Sequence, residues 1–533
     1  MKYSNEYFVK INKEFIDTPK ENPLLLFMGA GNTANNHLIK GAKYELRDTN
    51  IQIVDGSFNR YMEELLFNDD EYDIIHIHES SIQLYLSNDF DYAINTYLEN
   101  ITKIIHKHTK SLIIINTLEY LPFRFFGNTA LTEEEGLIYK INKANEYLVS
   151  LVSEKVKIND MNYVANYLGL KNYFDEKVIF NFSYGSSMEG QYYAILNLCN
   201  IIKSWIGRTK KGIITDLDNT FWSGVIGDDG LEEIKQRLNT RKNSNFKIYH
   251  KMLEELKNVG VFLGVASKNN EEVSNVFSEF NIPEKFFSVK KINWNMKSAN
   301  ISEISQLWNI SVNDIVFIDD NSREIAEVTR AFGDDYEALL FESSMQQLSD
   351  LQWYGWFEKI AITKTDKQRN ENFIKMQEFQ SEGNNMDLDS FIKSLQIELT
   401  FDEMNDNNME RIIQLLNKTN QFNNRKTIFT QKKLEDLLAD GYKVCGVSYK
   451  DKLGEEGIIS VIIYNSGSDK VVIENWVMSC RVFKRDVEYS ILDYVLGDKR
   501  GYLEYKISEK NKYFIDFVLS DRGQANLDIK EVK

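Results

Sequence analysis

The sequence predicts an α/β chain of three domains, two built on parallel sheets and the last of α+β type. Three observations carry this reading. Through roughly the first 365 residues, short apolar runs alternate with helix-length segments. Two of those runs, Ile213-Ile214 and Ile315–Ile318, end abruptly in paired aspartates. From about residue 366 the pattern changes to neighbouring strands joined by short Gly, Asn and Asp turns.

A length of 533 residues suits about three domains, and 43% hydrophobic with 27% charged residues is an ordinary globular balance. The formal net charge of −17 argues against nucleic-acid or membrane partners, which need basic surface. Three cysteines, at 199, 445 and 480, are too few for a disulfide framework and point to the cytoplasm. No apolar run approaches the roughly 20 residues that span a bilayer, and the N-terminus lacks a signal-like core.

The first domain is expected over 1–206. Leu24–Met28, Ile51–Val54, Ile74–His78 and Ser111–Asn116 read as buried parallel strands, with helices at Phe90–His108 and Tyr192–Gly207. Gly29-Ala30-Gly31, followed by Asn32-Thr33, lacks the third Gly and the Lys of phosphate loops and reads as a tight strand-to-helix turn. His76 and His78 could chelate a metal, but no third ligand is evident nearby.

The second domain is expected over 207–365. Its first strand ends in Asp216-Leu217-Asp218-Asn219-Thr220. Alternation aims Asp216 and Asp218 the same way at the carboxyl end of the sheet, with Leu217 turned to the core. Like charges that close call for a cation, and a hard divalent ion such as Mg2+ suits them. Phe221–Gly230 reads as a flap and Phe246–Val259 as a helix. Val261–Ala266 is a second buried strand ending in Ser267-Lys268-Asn269, where the hydroxyl could cap a helix or donate to phosphate. No large insertion separates these strands, so no cap domain is expected there, and an open site suits a macromolecular or tethered substrate.

The third domain is expected over 366–533, with helices at Leu388–Leu395 and Met409–Lys418 and strands at Gln396–Phe401, Val444–Tyr449, Gly457–Tyr464 and Val471–Met478. Cys480 ends the last of these beside Arg481 and near Lys484 and Arg485, the setting of a nucleophilic thiol. It equally fits a small buried residue, the reading given to Cys199 and Cys445.

The string Gly212–Gly230 resembles the first motif, Asp-x-Asp-x-Thr, of the haloacid dehalogenase (HAD) superfamily. With Trp222, Gly224, Gly227, Asp229 and Gly230 it is similar to the FkbH-like group of subfamily IIIC. Ser267, Lys297 within Asn293–Asn300, and Asp319-Asp320 resemble the second, third and fourth motifs, in order. The layout of 1–206 resembles the SGNH-like first domain of that group, and Asn417–Asn423 with Trp476–Val482 resemble its GNAT-like last domain. The resemblance implies a flavodoxin/SGNH-like scaffold or docking domain, a capless Rossmann-like HAD domain and a GNAT-like α+β domain. It implies Asp216 as nucleophile and Asp218 as acid/base. It implies metal ligation by Asp216, Asp218 through its carbonyl, and Asp319 or Asp320, with Asp320 preferred. Thr220, Ser267, Lys268, Asn269 and Lys297 would surround the phosphate. It further implies Mg2+, a phosphorylated small-molecule substrate such as 1,3-bisphosphoglycerate, and an acyl carrier protein that receives a three-carbon unit by way of Cys480. Where that group keeps two glycines for a pyrophosphate, this chain has Lys484 and Asp486, which argues against CoA at that loop. The alternatives are a HAD phosphatase acting on a sugar or other phosphomonoester without acyl transfer, and a noncatalytic scaffold with a vestigial site.

Overall fold

The computed structural model describes the chain except residues 1–5, 12–19, 21, 31–34, 58–59, 183–184, 383–387, 453, 468, 509 and 533. It divides into two units. The first is Met1–Lys203 with Trp353–Gly355 and Thr430–Lys432; the second is Ser204–Gln352, Trp356–Phe429 and Lys433–Lys533.

The first unit is built on β1 (Leu24–Ala30), β2 (Ile51–Asp55), β3 (Ile74–His78), β4 (Leu112–Asn116) and β5 (Val156–Asn159). They pair in the order β2-β1-β3-β4-β5, all parallel. β3 and β4 are buried along their whole length, so their sequences run apolar rather than alternating. β5 escapes sequence reading because it has only four residues and one is Lys157. Gly31, Asn32 and Thr33 of the turn after β1 lie outside the described residues.

The two histidines of β3 are structural. His76 Nε2 and Asn159 Nδ2 both meet Asn116 Oδ1, at 3.0 and 2.8 Å, and Asn197 Nδ2 donates to Asn159 Oδ1 at 2.8 Å. Burial holds the His76 and His78 imidazoles down to about 4 and about 3, so both are neutral near pH 7. Among the described residues they belong to no cluster that could hold a metal.

The second unit holds two sheets. In the first, β6 (Gly212–Thr215), β7 (Phe262–Ser267), β8 (Val289–Ile292), β9 (Ile315–Asp319) and β10 (Ala338–Leu340) run parallel in the order β10-β9-β6-β7-β8. The chain leaves β6 first to one side and then to the other, so the carboxyl ends of β6 and β9 flank the crevice where open sheets place ligands. Short helices at Ile226–Asp229, Leu231–Leu238 and Ser244–Asn258 connect β6 to β7 without an inserted domain.

The other sheet runs β11 (Glu398–Glu403), β12 (Lys443–Asp451), β13 (Gly454–Ser466), β14 (Lys470–Met478), β15 (Arg500–Tyr505) and β16 (Leu527–Glu531) in sequence order. Its first four strands are antiparallel and the last two pairings parallel. β14 and β15 pair only from Lys470–Ile473 to Arg500–Leu503 and then part. Asn424 fills the gap: its Nδ2 donates to Glu474 O and Glu504 O at 3.1 and 2.9 Å, and its Oδ1 accepts from Trp476 N at 2.9 Å. One side-chain amide thereby satisfies three backbone groups that strand pairing leaves behind. No helix among the described residues is long and apolar enough to cross a membrane.

Candidate active site

Strand register assembles the site. Thr215 pairs with Ile318, and Asp216 N donates to Ile318 O at 2.9 Å, which sets Asp216 beside Asp319 and Asp320. Carboxylate oxygens of these three residues lie within 4.8 Å of one another. Lys297 opens the helix Lys297–Trp308 and is 2% exposed. Its Nζ lies 2.6 Å from Asp216 Oδ1, 2.9 Å from Asp319 Oδ2 and 2.7 Å from Ala266 O. Burial acts to discharge this ammonium, but Asp216 and Asp319 outweigh burial and hold its pKa above the usual lysine range. Burial first, and then the Asp216 charge, push the Asp319 carboxyl up to about 7 against the pull of Lys297. The same two causes raise Asp320, which is opposed by Thr220.

Asp218 stands apart from the cluster. Its Oδ1 accepts from Trp222 Nε1 at 2.8 Å and Ile226 N at 3.2 Å, and its Oδ2 from Asn269 Nδ2 at 2.9 Å. Burial raises its pKa despite those three donors. A carboxyl held rigidly and biased toward its protonated form is equipped to give and take a proton.

No protein-family model matches the chain, and no curated protein matches it in sequence. Among solved structures it is similar to the N-terminal part, containing a phosphatase domain, of a Bacteroides fragilis protein crystallised with Mg. The TM-score is 0.59 at 23% identity, over 67% of this chain and 99% of that one. The two share a fold.

Several residues expected at the phosphate have other duties. Thr220 is wholly buried; its Oγ1 accepts from Asp320 N at 3.0 Å and donates to Asp320 Oδ1 at 3.3 Å, so it positions that aspartate. Lys268 is ion-paired with Glu324 at 2.7 Å. Asn269 orients Asp218 and touches Ser267 Oγ at 3.4 Å. Ser267 is the last, buried residue of β7 and caps no α-helix, because only the short 3-10 turn Glu271–Asn275 follows, with Asn270 at its start. The expected flap is pinned by aromatics: Phe221 stacks on His250 at 4.0 Å and Trp222 on Phe280 at 5.1 Å, both rings wholly buried. Gly224 sits at φ +108, and a Cβ there would meet Arg237 Nη1 and Asp229 Oδ2 at 2.4 and 2.5 Å.

Cys480 is half-buried against the cores of both sheets of the second unit. Arg485, expected near the thiol, is bound to Asp451 at 3.1 Å and Tyr449 Oη at 2.6 Å. Arg481 does line a pocket with Cys480. Lys484 and Asp486 have φ +62 and +56, the left-handed backbone that suits glycine. The loop keeps the shape a glycine pair would give it, but Lys484 N is already taken by Tyr513 Oη at 2.7 Å, and Tyr513 donates to the buried Glu488. Asp486 and Glu488 at that helix start oppose an incoming pyrophosphate.

Proposed function

We propose that the chain is a Mg2+-dependent phosphatase of the HAD type. Its finer task, in this reading, is to pass a three-carbon, glyceryl-type unit from a phosphorylated precursor such as 1,3-bisphosphoglycerate to an acyl carrier protein. Segment 207–365 acts as the catalytic domain, 366–533 as the acyltransferase-type domain and 1–206 as scaffold or docking domain. The observation that carries the reading is the buried Lys297 clamped between Asp216 and Asp319 at the strand ends, with Asp320 alongside. Burying such an array of charges carries a large desolvation cost, which favours a functional reading.

The donor set fits Mg2+: three converging carboxylates offer only hard oxygens. The Mg in the similar Bacteroides fragilis structure supports the same ion here. Asp216 and Asp320 would hold it, with the Asp218 carbonyl, because both Asp319 oxygens are engaged, Oδ1 by Asn321 N at 2.9 Å and Oδ2 by Lys297 at 2.9 Å. When bound, the ion offsets negative charge on the phosphoryl oxygens. Lys297 occupies Asp216 Oδ1, leaving the other oxygen to attack phosphorus. As the ester P–O bond breaks, Asp218 gives its proton to the departing oxygen. Asp218 then takes a proton from water, the hydroxide attacks the aspartyl-phosphate, and phosphate leaves with Asp216 restored. Ser267 and Lys297 face the phosphoryl oxygens, and catalysis is chiefly positioning and charge neutralisation.

Asp216→Asn tests the nucleophile: phosphate release from a phosphate monoester such as 3-phosphoglycerate, which carries no acyl phosphate for Cys480 to take, is lost in a folded protein, and retained release refutes the assignment. Cys480→Ala tests the relay, because the acyl-enzyme mass shift disappears with the thiol. The plain phosphatase reading draws on one observation: Cys480 shares its pocket with Lys211, which precedes β6, whereas Asp216 follows β6. Incubation with carrier protein decides between them, since loaded carrier supports transfer and free phosphate alone supports hydrolysis.

A further inference from the structure

At the end of β6 opposite Asp216 lies a pocket of ≈ 110 Å³, where the residues before β6 meet the helices Lys364–Glu382 and Met409–Lys418 and the turn Ser479–Arg481. Lys211 and Asp216 bracket the strand, so at about 3.3 Å per residue roughly 17 Å separates the two places. The pocket is lined by cations. Arg481 is paired with Glu456 at 2.7 Å and Lys211 with Asp314 at 2.7 Å. The other five, Lys210, Lys359, Arg369, Arg411 and Lys418, share a single lining carboxylate, Asp366, although Lys210 donates to Asn313 O at 2.9 Å and Arg411 to Gln414 Oε1. Asp366 Oδ2 is itself engaged by the Thr363 N–H and hydroxyl at 3.1 and 2.7 Å. Glu337 and Glu410 act on Lys210 and Arg411 without lining the pocket.

The cations are uncomfortable together. Burial, with Lys359 and Arg411 adding to it and Asp366 resisting, holds the Lys418 ammonium down to about 8. Arg369 lies over the Phe262 ring at 4.6 Å, and its buried Nε has no hydrogen-bond partner among the described residues. A buried donor without an acceptor is costly, and so is a concentration of like charge in a half-enclosed space. A chain with net charge −17 has surface carboxylates in plenty, yet few face this pocket. The missing partner is an anion with several acceptor oxygens, and guanidinium forks beside ammonium groups match phosphate.

We propose that this pocket binds the phosphate group of a phosphorylated ligand beside the Cys480 thiol, as a site separate from the aspartate cluster. It stands whether or not Asp216 is a nucleophile. The phosphate has two possible sources, a phosphorylated three-carbon acid, where it is a monoester, or the pantetheine 4′-phosphate arm of a carrier protein, where it is a diester, and the chemistry they share is a phosphate ester with anionic acceptor oxygens.

The test uses the full chain in EDTA, at constant ionic strength, with inorganic phosphate, 3-phosphoglycerate and pantetheine 4′-phosphate as separate probes. Cys480 is the reporter, because Cys199 and Cys445 are buried. Alkylation of Cys480 by iodoacetamide, followed by mass spectrometry, slows about fivefold when phosphate reaches four times its dissociation constant, since only the empty fraction reacts. Lys418→Gln and, separately, Lys359→Gln weaken that protection about tenfold, the loss of one charge-assisted hydrogen bond. Circular dichroism identifies variants that fail to fold, and two independent positions keep the test open if one does. Asp216→Asn leaves the protection intact. Tighter protection by 3-phosphoglycerate assigns the small acid, tighter protection by pantetheine 4′-phosphate assigns the carrier arm, and equal protection assigns the phosphate group alone. Absence of protection in the parent protein overturns the proposal, as does protection that survives both lysine substitutions or is lost in Asp216→Asn. Phosphate release with Mg2+ is read separately and reports only on the aspartate site.

Discussion

Replacing Lys297 with Met keeps the side-chain length and removes the charge. The ammonium lies 2.6 and 2.9 Å from two carboxylates in a place where it is 2% exposed. At an effective dielectric near 20, each contact carries about 6 kcal/mol of attraction. Desolvation of the ions offsets much of this, and removing one partner of a buried pair costs about 3–5 kcal/mol because the remaining charges are left uncompensated. Ala266 O also loses its donor. Lys297→Met in EDTA is therefore expected to lower the unfolding free energy of the second unit by about 3–5 kcal/mol in urea titrations. Mg2+ restores much of that by supplying positive charge to the same oxygens, but it does not restore turnover. Loss of one fixed positive charge beside the transferring phosphoryl group costs about 10²–10³ in kcat. Lys297→Arg gives no rescue, because the planar fork does not fit a site built around one compact ammonium. A variant within about 1 kcal/mol of the parent in EDTA, releasing phosphate at a similar rate, refutes the clamp.

Three further outcomes follow from particular contacts. Asp319, pushed up to about 7, lies beside the Asp216 and Asp320 carboxylates that would hold the ion, so its protonation weakens Mg2+ binding and half-saturation by thermal shift rises as pH falls below 7; a flat profile from pH 8 to 5.5 contradicts this. In the first unit, His76 and His78 take protons first in the unfolded chain, so their contribution is lost as pH falls from 6.5. Glu79, raised to about 7 by burial, takes its proton first in the folded chain and acts in the opposite direction between 7 and 4.5. Glu79→Gln therefore makes stability between pH 6.5 and 4.5 fall more steeply than in the parent, by about 1.4 kcal/mol per unit, and equal slopes in urea titrations refute the opposition. Asn424→Leu strands Glu474 O, Glu504 O and Trp476 N where β14 and β15 part, at a cost of at least about 3 kcal/mol, and a smaller loss means water replaces the amide.

What the sequence disclosed was what strand ends display. A buried run that stops at an aspartate marks a strand end, which is why Asp216, Asp319 and Asp320 stand out in the sequence, and the register of β6 against β9 brings them together. Lys297 was legible only through the string around it, since a lone lysine looks like surface. Adjacency along the chain says nothing about which way a side chain turns, so the contacts of Thr220, Lys268 and Asn269 with Asp320, Glu324 and Asp218 cannot be read from their positions in the sequence. Asn424 and the cations around Cys480 were illegible for a different reason. Their meaning depends on contacts between segments up to about 270 residues apart in sequence, and no local pattern marks them.

The placement of the two pockets constrains any reading in which one ligand visits both. All four residues of β6 are buried, and its neighbours β7 and β9 are buried throughout, so the sheet is a wall between the carboxylates and the cations. A phosphoryl group cannot pass through it. Under the proposed function, a molecule bearing both an acyl phosphate and a phosphate ester would therefore meet the two chemistries at separate places, acyl capture at Cys480 and ester hydrolysis at Asp216. Between them it must travel around the outside, either free in solution or attached to something that moves. The two parts of the proposed function are thus separable in principle: disabling either pocket should leave the other's half-reaction in place.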